Sequence, residues 1–196
     1  MGSIVAFLIA QGWASGISTW GVLVATGVAD EAGWVDAPGA LGSPALLAVA
    51  SVFLVIEVVA DKVAYVDSVS DAIQTLIRPV AGAAIAAEWG SADEQISTEL
   101  AAVIGGGSAT VSHFAKMGLR GALNLSPEPF SNVAISSMED VAGLTVITLA
   151  FSYPWLALAV VLLLLALTIV AIVVAVHLYR RAAERIATLG TKPRAG

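Results

Sequence analysis

The run "PWLALAVVLLLLALTIVAIVVAVHLY", residues 154–179, decides the fold class. It carries no Asp, Glu, Lys or Arg, and at 1.5 Å per helical residue it is long enough for the roughly 30 Å core of a bilayer. Pro154 suits a first helical turn, and Trp155 and Tyr179 stand where aromatic side chains meet the headgroups. Composition agrees: 58% of the residues are hydrophobic and only 12% charged, whereas a soluble domain carries about a quarter charged residues. The expectation is an all-α, polytopic integral membrane helix bundle.

With 196 residues and roughly 20 apolar residues per crossing, about six transmembrane helices are expected. They read as 4–28, 43–62, 68–89, 96–120, 129–151 and 154–179. The reading is one transmembrane domain over 1–181, followed by a basic cytoplasmic tail over 182–196. The N-terminal apolar run lacks a basic leader region, so it reads as a retained helix rather than a signal peptide. Gly12, Ser15 and Gly16 within it allow close packing or a local break. There are no cysteines, which excludes disulfides and thiolate metal sites. No basic patch suits nucleic acid.

Charge placement orients the bundle. Arg180, Arg181, Arg185, Lys192 and Arg194 argue for a cytoplasmic C-terminus. Six crossings then put the N-terminus in the cytoplasm as well. The connections holding Asp30, Glu31 and Asp36, and later Asp93 and Glu94, fall outside and are acidic only. Lys62, Lys116 and Arg120 fall inside, leaving Arg78 as the one basic residue elsewhere.

Residues 57–79, "EVVADKVAYVDSVSDAIQTLIRP", concentrate charge between apolar segments. A second polar stretch, "SHFAKMGLRGALNLSPEPFSNVAISSMEDVAG", begins at 112. A shift of 61 places Asp71 on Asn132 and Arg78 on Glu139, while a shift of 59 places Glu57 on Lys116 and Asp61 on Arg120. This suggests a parallel internal repeat of helix pairs, 43–89 and 96–151, about an axis along the membrane normal. The acidic pair Glu57/Asp61 and the basic pair Lys116/Arg120 each share a helix face by their spacing of four. The two pairs are expected to meet, with an Arg78–Glu139 contact near the midplane and Asp140 beside it. Helix starts are expected at Asp67 or Ser68 and around Ser126–Pro127, and a kink at Pro79.

At these residues the chain resembles a bacterial membrane-protein family known as domain of unknown function 4126. The resemblance rests on "EVVADK", "VDSVSDAIQTLIRP" and "SHFAKMGLRGALNLSPEPFSNVAISSMED", and covers roughly residues 43–150. "SPEPFSN" followed by "ED" is its most specific part. The family pattern has His where this chain has Gln74. The resemblance implies a small polytopic inner-membrane protein and supplies no activity.

Three functions fit. The first is a transporter or channel-like protein moving, or coupled to, a cation or proton. Its core would be Glu57, Asp61, Asp67, Asp71, Arg78, Asn132, Glu139 and Asp140, because ionisable residues at membrane depth mark ion paths. The second is a scaffold whose buried charges form an ion-pair network. The third is an inner-leaflet protein handling lipid or phosphate, with Lys62, His113, Lys116 and Arg120 as the anion set. Glu57, Asp61, Glu139 and Asp140 are candidate ligands for a hard metal. No cofactor is required by the sequence, and no nucleophile–base set or phosphate loop points to an enzyme. The expected partners are the bilayer, a small ion or proton, and a second copy packed through Gly12, Gly16 or Gly105–Gly107.

Overall fold

The computed structural model describes residues 1–62, 64–123 and 129–190; the side chains of Asp67 and Asn132 lie outside the described set, as do Ser126, Pro127 and Glu128 altogether. The described chain is all-α: α1 (Gly2–Ile17), α2 (Thr19–Glu31), a 3₁₀ turn (Gly39–Gly42), α3 (Pro44–Ala60), α4 (Ala64–Ser91), α5 (Thr98–Leu123), α6 (Pro129–Ser152) and α7 (Pro154–Gly190). Proline opens α3, α6 and α7, where the missing N–H costs no helical bond. α4 continues through Pro79. It begins at Ala64, so Asp67 and Ser68 lie inside its first turns rather than before them.

The segment read as one crossing over 4–28 is two helices. α1 stops at Ile17, and Ser18 takes an extended backbone (φ −150°, ψ 104°) and caps α2, its Oγ accepting from the Gly21 amide at 3.0 Å. The chain then turns back. Gly21 lies against Leu54, Gly27 against Leu47 and Gly42 against Asp30, so α2 runs antiparallel to α3. Gly12 lies against Gly105 and Gly16 against Ala109 and Ser112, so α1 runs parallel to α5. Ser3 and Asp36, from the two ends of the pair, line one cleft with Trp89 and Pro154. α1 and α2 therefore form a helical hairpin whose apex reaches into the bundle and whose two outer ends share a side.

This corrects the expected position of the N-terminus. Gly2 abuts Trp155 at the start of α7, and α7 then runs 37 residues away from it, roughly 55 Å. Gly2 and Gly190 lie at opposite ends of the bundle. The expectation of a shared side failed because a hairpin was counted as a crossing.

α1 is the central element, with nearly every residue from Ala6 to Ile17 buried. Its small residues permit that position. A Cβ on Gly12, Gly16, Gly82 or Gly105 would collide with backbone or side-chain atoms of the facing helix. Gly12, Gly16, Gly105 and Gly106 are thus occupied within the chain and do not offer the surfaces expected for a second copy, whereas Gly107 faces open space. α4 and α5 form the most extensive helix interface, and α1 packs on α5, α6, α7 and α4. α7 continues past Arg181 to Gly190, so the expected tail begins as helix.

Polarity is inverted relative to a water-soluble protein. Leu76, Val80 and Val103 are at least 70% exposed, while Arg78, His113 and Lys116 are at most 2% exposed. Two stretches, Val133–Ser152 and Pro154–Arg181, are long and apolar enough to cross a bilayer. α4 and α5 have the length but carry inward charge, which lowers their hydropathy.

The glycine contacts give a direct test. Gly16→Ala forces a methyl into the Ser112 hydroxyl and Ala109 carbonyl, and should cost about 1–3 kcal/mol by overpacking. Gly107→Ala meets nothing and should leave stability unchanged or raise it by up to about 1 kcal/mol. Unfolding titrations in mild detergent check both; equal effects at the two positions would refute the α1–α5 packing.

Candidate functional site: a buried charge cluster at a helix-hairpin apex

The hairpin leaves polar groups in the interior that something must satisfy. α1 ends with unpaired carbonyls and a partial negative charge, and α2 begins with the opposite polarity. Two cations meet the first end: Arg78 Nη1 donates to the Gly16 carbonyl at 3.0 Å, and Lys116 Nζ to the Ile17 carbonyl at 3.3 Å. A carboxylate meets the second, because Ser18 Oγ donates to Glu57 Oε2 at 2.6 Å while capping α2.

Around this apex the charges form two ion-pair groups. Arg78 Nη2 holds Glu57 Oε1 at 2.8 Å, with neither side chain more than 3% exposed. Lys116 Nζ and Arg120 Nη2 converge on Asp61 Oδ2 at 2.8 and 3.1 Å. Arg120 also donates to Glu139 Oε2 at 2.9 Å, stands 3.6 Å from Asp71 Oδ2, and leaves Lys116 3.9 Å from Glu139. Lys62 and Asp140 form a looser, partly exposed pair at 3.9 Å.

His113 joins the groups, and its tautomer follows from its partners. Arg78 Nη1 lies 3.2 Å from His113 Nδ1, and an arginine only donates, so Nδ1 accepts. The proton then sits on Nε2, facing Thr75 Oγ1 at 3.0 Å, and Thr75 in turn donates to the Asp71 carbonyl at 2.8 Å. His113 is a neutral link between Arg78 and the Asp71 backbone.

Several expectations change here. The meeting of acidic and basic pairs holds for Asp61 with Lys116 and Arg120, but Glu57 pairs with Arg78 instead. The expected Arg78–Glu139 contact does not form: Arg78 is drawn to the hairpin apex, which the sequence did not reveal, and Glu139 is taken by Arg120. The four candidate metal ligands do not converge, and no group of three acidic or histidine side chains able to hold a metal occurs among the described residues. The anion set is likewise divided, with Lys116 and Arg120 held by carboxylates, His113 by Arg78, and Lys62 beside Asp140.

Sequence reasoning missed Gln11, Ser18 and Thr19, and read Ser15 only as a residue allowing close packing or a local break. All are buried, Gln11 and Ser15 completely. Gln11, Ser15 and Thr19 are spaced by four, the signal that could have marked a polar stripe. Ser15 Oγ lies 3.4 Å from Thr19 Oγ1, and both amide atoms of Gln11 are buried without a protein partner. Three carboxylate oxygens are equally unanswered: Asp61 Oδ1, Asp71 Oδ1 and Glu139 Oε1. An apolar cleft of about 300 Å³ between α1, α5, α6 and α7 reaches Lys116 and Glu139.

The family model described as "Domain of unknown function (DUF4126)" matches residues 5–174. The chain belongs to that family. The match includes the α1–α2 hairpin as well as every described residue of the charge cluster. No curated protein and no solved structure matched the chain.

The Glu57–Arg78 pair yields a double-mutant test. Removing either partner strands a charge in the core and should cost about 3–5 kcal/mol. The combined Glu57→Gln/Arg78→Met change should recover part of that loss, giving a positive coupling energy. Arg78→Glu with Glu139→Arg should show no rescue. Rescue by that swap would restore the contact that the geometry excludes.

Proposed function

We propose that the chain is a small transporter or channel-like protein of the bacterial cytoplasmic membrane that moves, or is coupled to, a proton or cation through the buried charge cluster. The observation that carries this reading is the α1–α2 apex lying inside that cluster. Irregular backbone at membrane depth is tolerated where it is buried in protein or lines a path, and paired helix ends there are a recurrent way to meet ions.

The membrane arrangement that fits is five full crossings by α3–α7 plus a hairpin, α1–α2, entering from the outer face. The apolar outer surface and inward charge support it, as do the basic residues beyond α7. The N-terminus is then outside and the C-terminus cytoplasmic. Because the chain has no cysteine, Ser3→Cys and Thr191→Cys can be labelled singly with a membrane-impermeant maleimide. Position 3 should react in intact spheroplasts and position 191 only after lysis; labelling of both from one side would refute the arrangement.

A proton or cation is favoured over an anion by the charge balance. Among the described buried groups, Glu57, Asp61, Asp71 and Glu139 face Arg78, Lys116 and Arg120. From that cluster the Gln11–Ser15–Thr19 stripe extends toward the outer end of the hairpin. Proteoliposomes loaded with pH and cation indicators test the reading. The wild type should show flux that Asp71→Asn and Gln11→Leu abolish without unfolding the protein. Absence of flux for protons and for a broad cation panel would sink it.

A scaffold role is the second reading, favoured by the carboxylate partners found for Arg78, Lys116 and Arg120. Under that reading, full function in cells should survive apolar replacement of the Glu57–Arg78 pair.

A further inference from the structure

A second polar site lies at the opposite end of the bundle from the charge cluster. Phe7 of α1, Trp89 of α4 and Phe151 of α6 line a cleft of about 420 Å³, together with Asp36 and Asp93 from the connections beside them. That volume falls within the range of roughly 300–1,000 Å³ typical of small-ligand sites. The three rings form one cluster, with Phe7 and Trp89 edge-to-face at 5.0 Å and Phe151 at 6.1 and 6.4 Å from them.

The charges of the cleft are one-sided. No lysine or arginine lines it. Asp93 Oδ1 accepts the Gln95 amide at 2.7 Å, and neither Asp36 nor Asp93 has an ion-pair partner among the described residues. The cleft thus combines three aromatic rings with two carboxylates that no basic side chain among the described residues balances.

These groups specify a ligand. A hard metal ion takes six or more oxygen ligands and gains nothing from the rings. An alkylated ammonium ion gains from both, because aromatic faces attract it and carboxylates balance its charge. We propose that this cleft binds a small alkylated ammonium ion, with Phe7, Trp89 and Phe151 as its aromatic wall and Asp36 and Asp93 as its counter-charges. The site stands independently of whether any ion crosses the bundle.

Choline is a suitable probe. Protein in nanodiscs, titrated by calorimetry, should bind it saturably. The uncharged isostere, with carbon in place of the ammonium nitrogen, should bind about tenfold more weakly or not at all. Asp36→Asn and Asp93→Asn, both outside the buried core, should each weaken choline binding, and Trp89→Leu should weaken it by about tenfold. Equal affinity for choline and its isostere overturns the proposal. So does absence of saturable choline binding by the wild type, or binding that the Asp36→Asn/Asp93→Asn double variant leaves unchanged. Saturable binding that discriminates charge, in a protein without flux, would sustain this site while removing the transport reading.

Discussion

The structure depends on how the apex between α1 and α2 is satisfied. A chain that reverses inside an apolar bundle leaves backbone carbonyls and amides where water is excluded, and each such group costs several kcal/mol if unanswered. Here the answers come from three other helices: Glu57 of α3, Arg78 of α4 and Lys116 of α5. The same contacts explain why those charges can be buried. A helix C-terminus stabilises Arg78 and Lys116, and a capping hydroxyl donates to Glu57. Hairpin and charges are thus mutually required, and neither is stable in the interior alone.

The repeat seen in the sequence acquires a different physical content. Its alignment relates Glu57 to Lys116 and Arg78 to Glu139. In space, the α3–α4 pair is bridged by Glu57–Arg78, and the α5–α6 pair by the longer Lys116–Glu139 approach with its signs exchanged. Asp61 and Arg120, which the alignment also relates, pair with each other between the two halves. The pairing pattern is therefore compatible with duplication followed by sign reversal. The packing is not symmetric, however: α4 and α5 form the largest interface, whereas α3 packs chiefly on α2. The hairpin has no counterpart in the repeat and takes up the difference.

What could be read from the sequence follows from which signals are local. Helix type and approximate position were legible for the five long segments because apolar runs and prolines mark them directly, whereas the start of α4 and the end of α7, where the sequence turns polar, were not. The contact of Asp61 with Lys116 and Arg120 was legible from spacing and opposite charge. The hairpin was not, since Ser18 is one polar residue in a run apolar enough for a single crossing. Missing it displaced the N-terminus to the wrong end and assigned Arg78 to Glu139. The aromatic cleft was equally hidden, because Phe7, Trp89 and Phe151 are far apart in the chain and converge only through packing. Gln74, singled out for replacing a histidine, is buried with its Oε1 unpartnered, so the position remains polar and interior.

The charge count bears on whether the cluster is only a brace. Asp61, Asp71 and Glu139 each use one oxygen toward Arg120, and the second oxygen of each is buried without a hydrogen-bond partner. A brace would be better served by three acids against three bases, or by apolar side chains of similar volume, since buried ion pairs seldom outweigh their desolvation. A fourth carboxylate is costly unless a proton or cation shares the site. Of Asp61, Asp71 and Glu139, Asp71 lies farthest from Arg120, at 3.6 Å, and its backbone carbonyl accepts from Thr75, the hydrogen-bond partner of His113. Asp71 contacts Arg120 rather than the Glu57–Arg78 pair at the apex, so the proposed path would exchange charge there with the hairpin left in place, which a brace never needs to do.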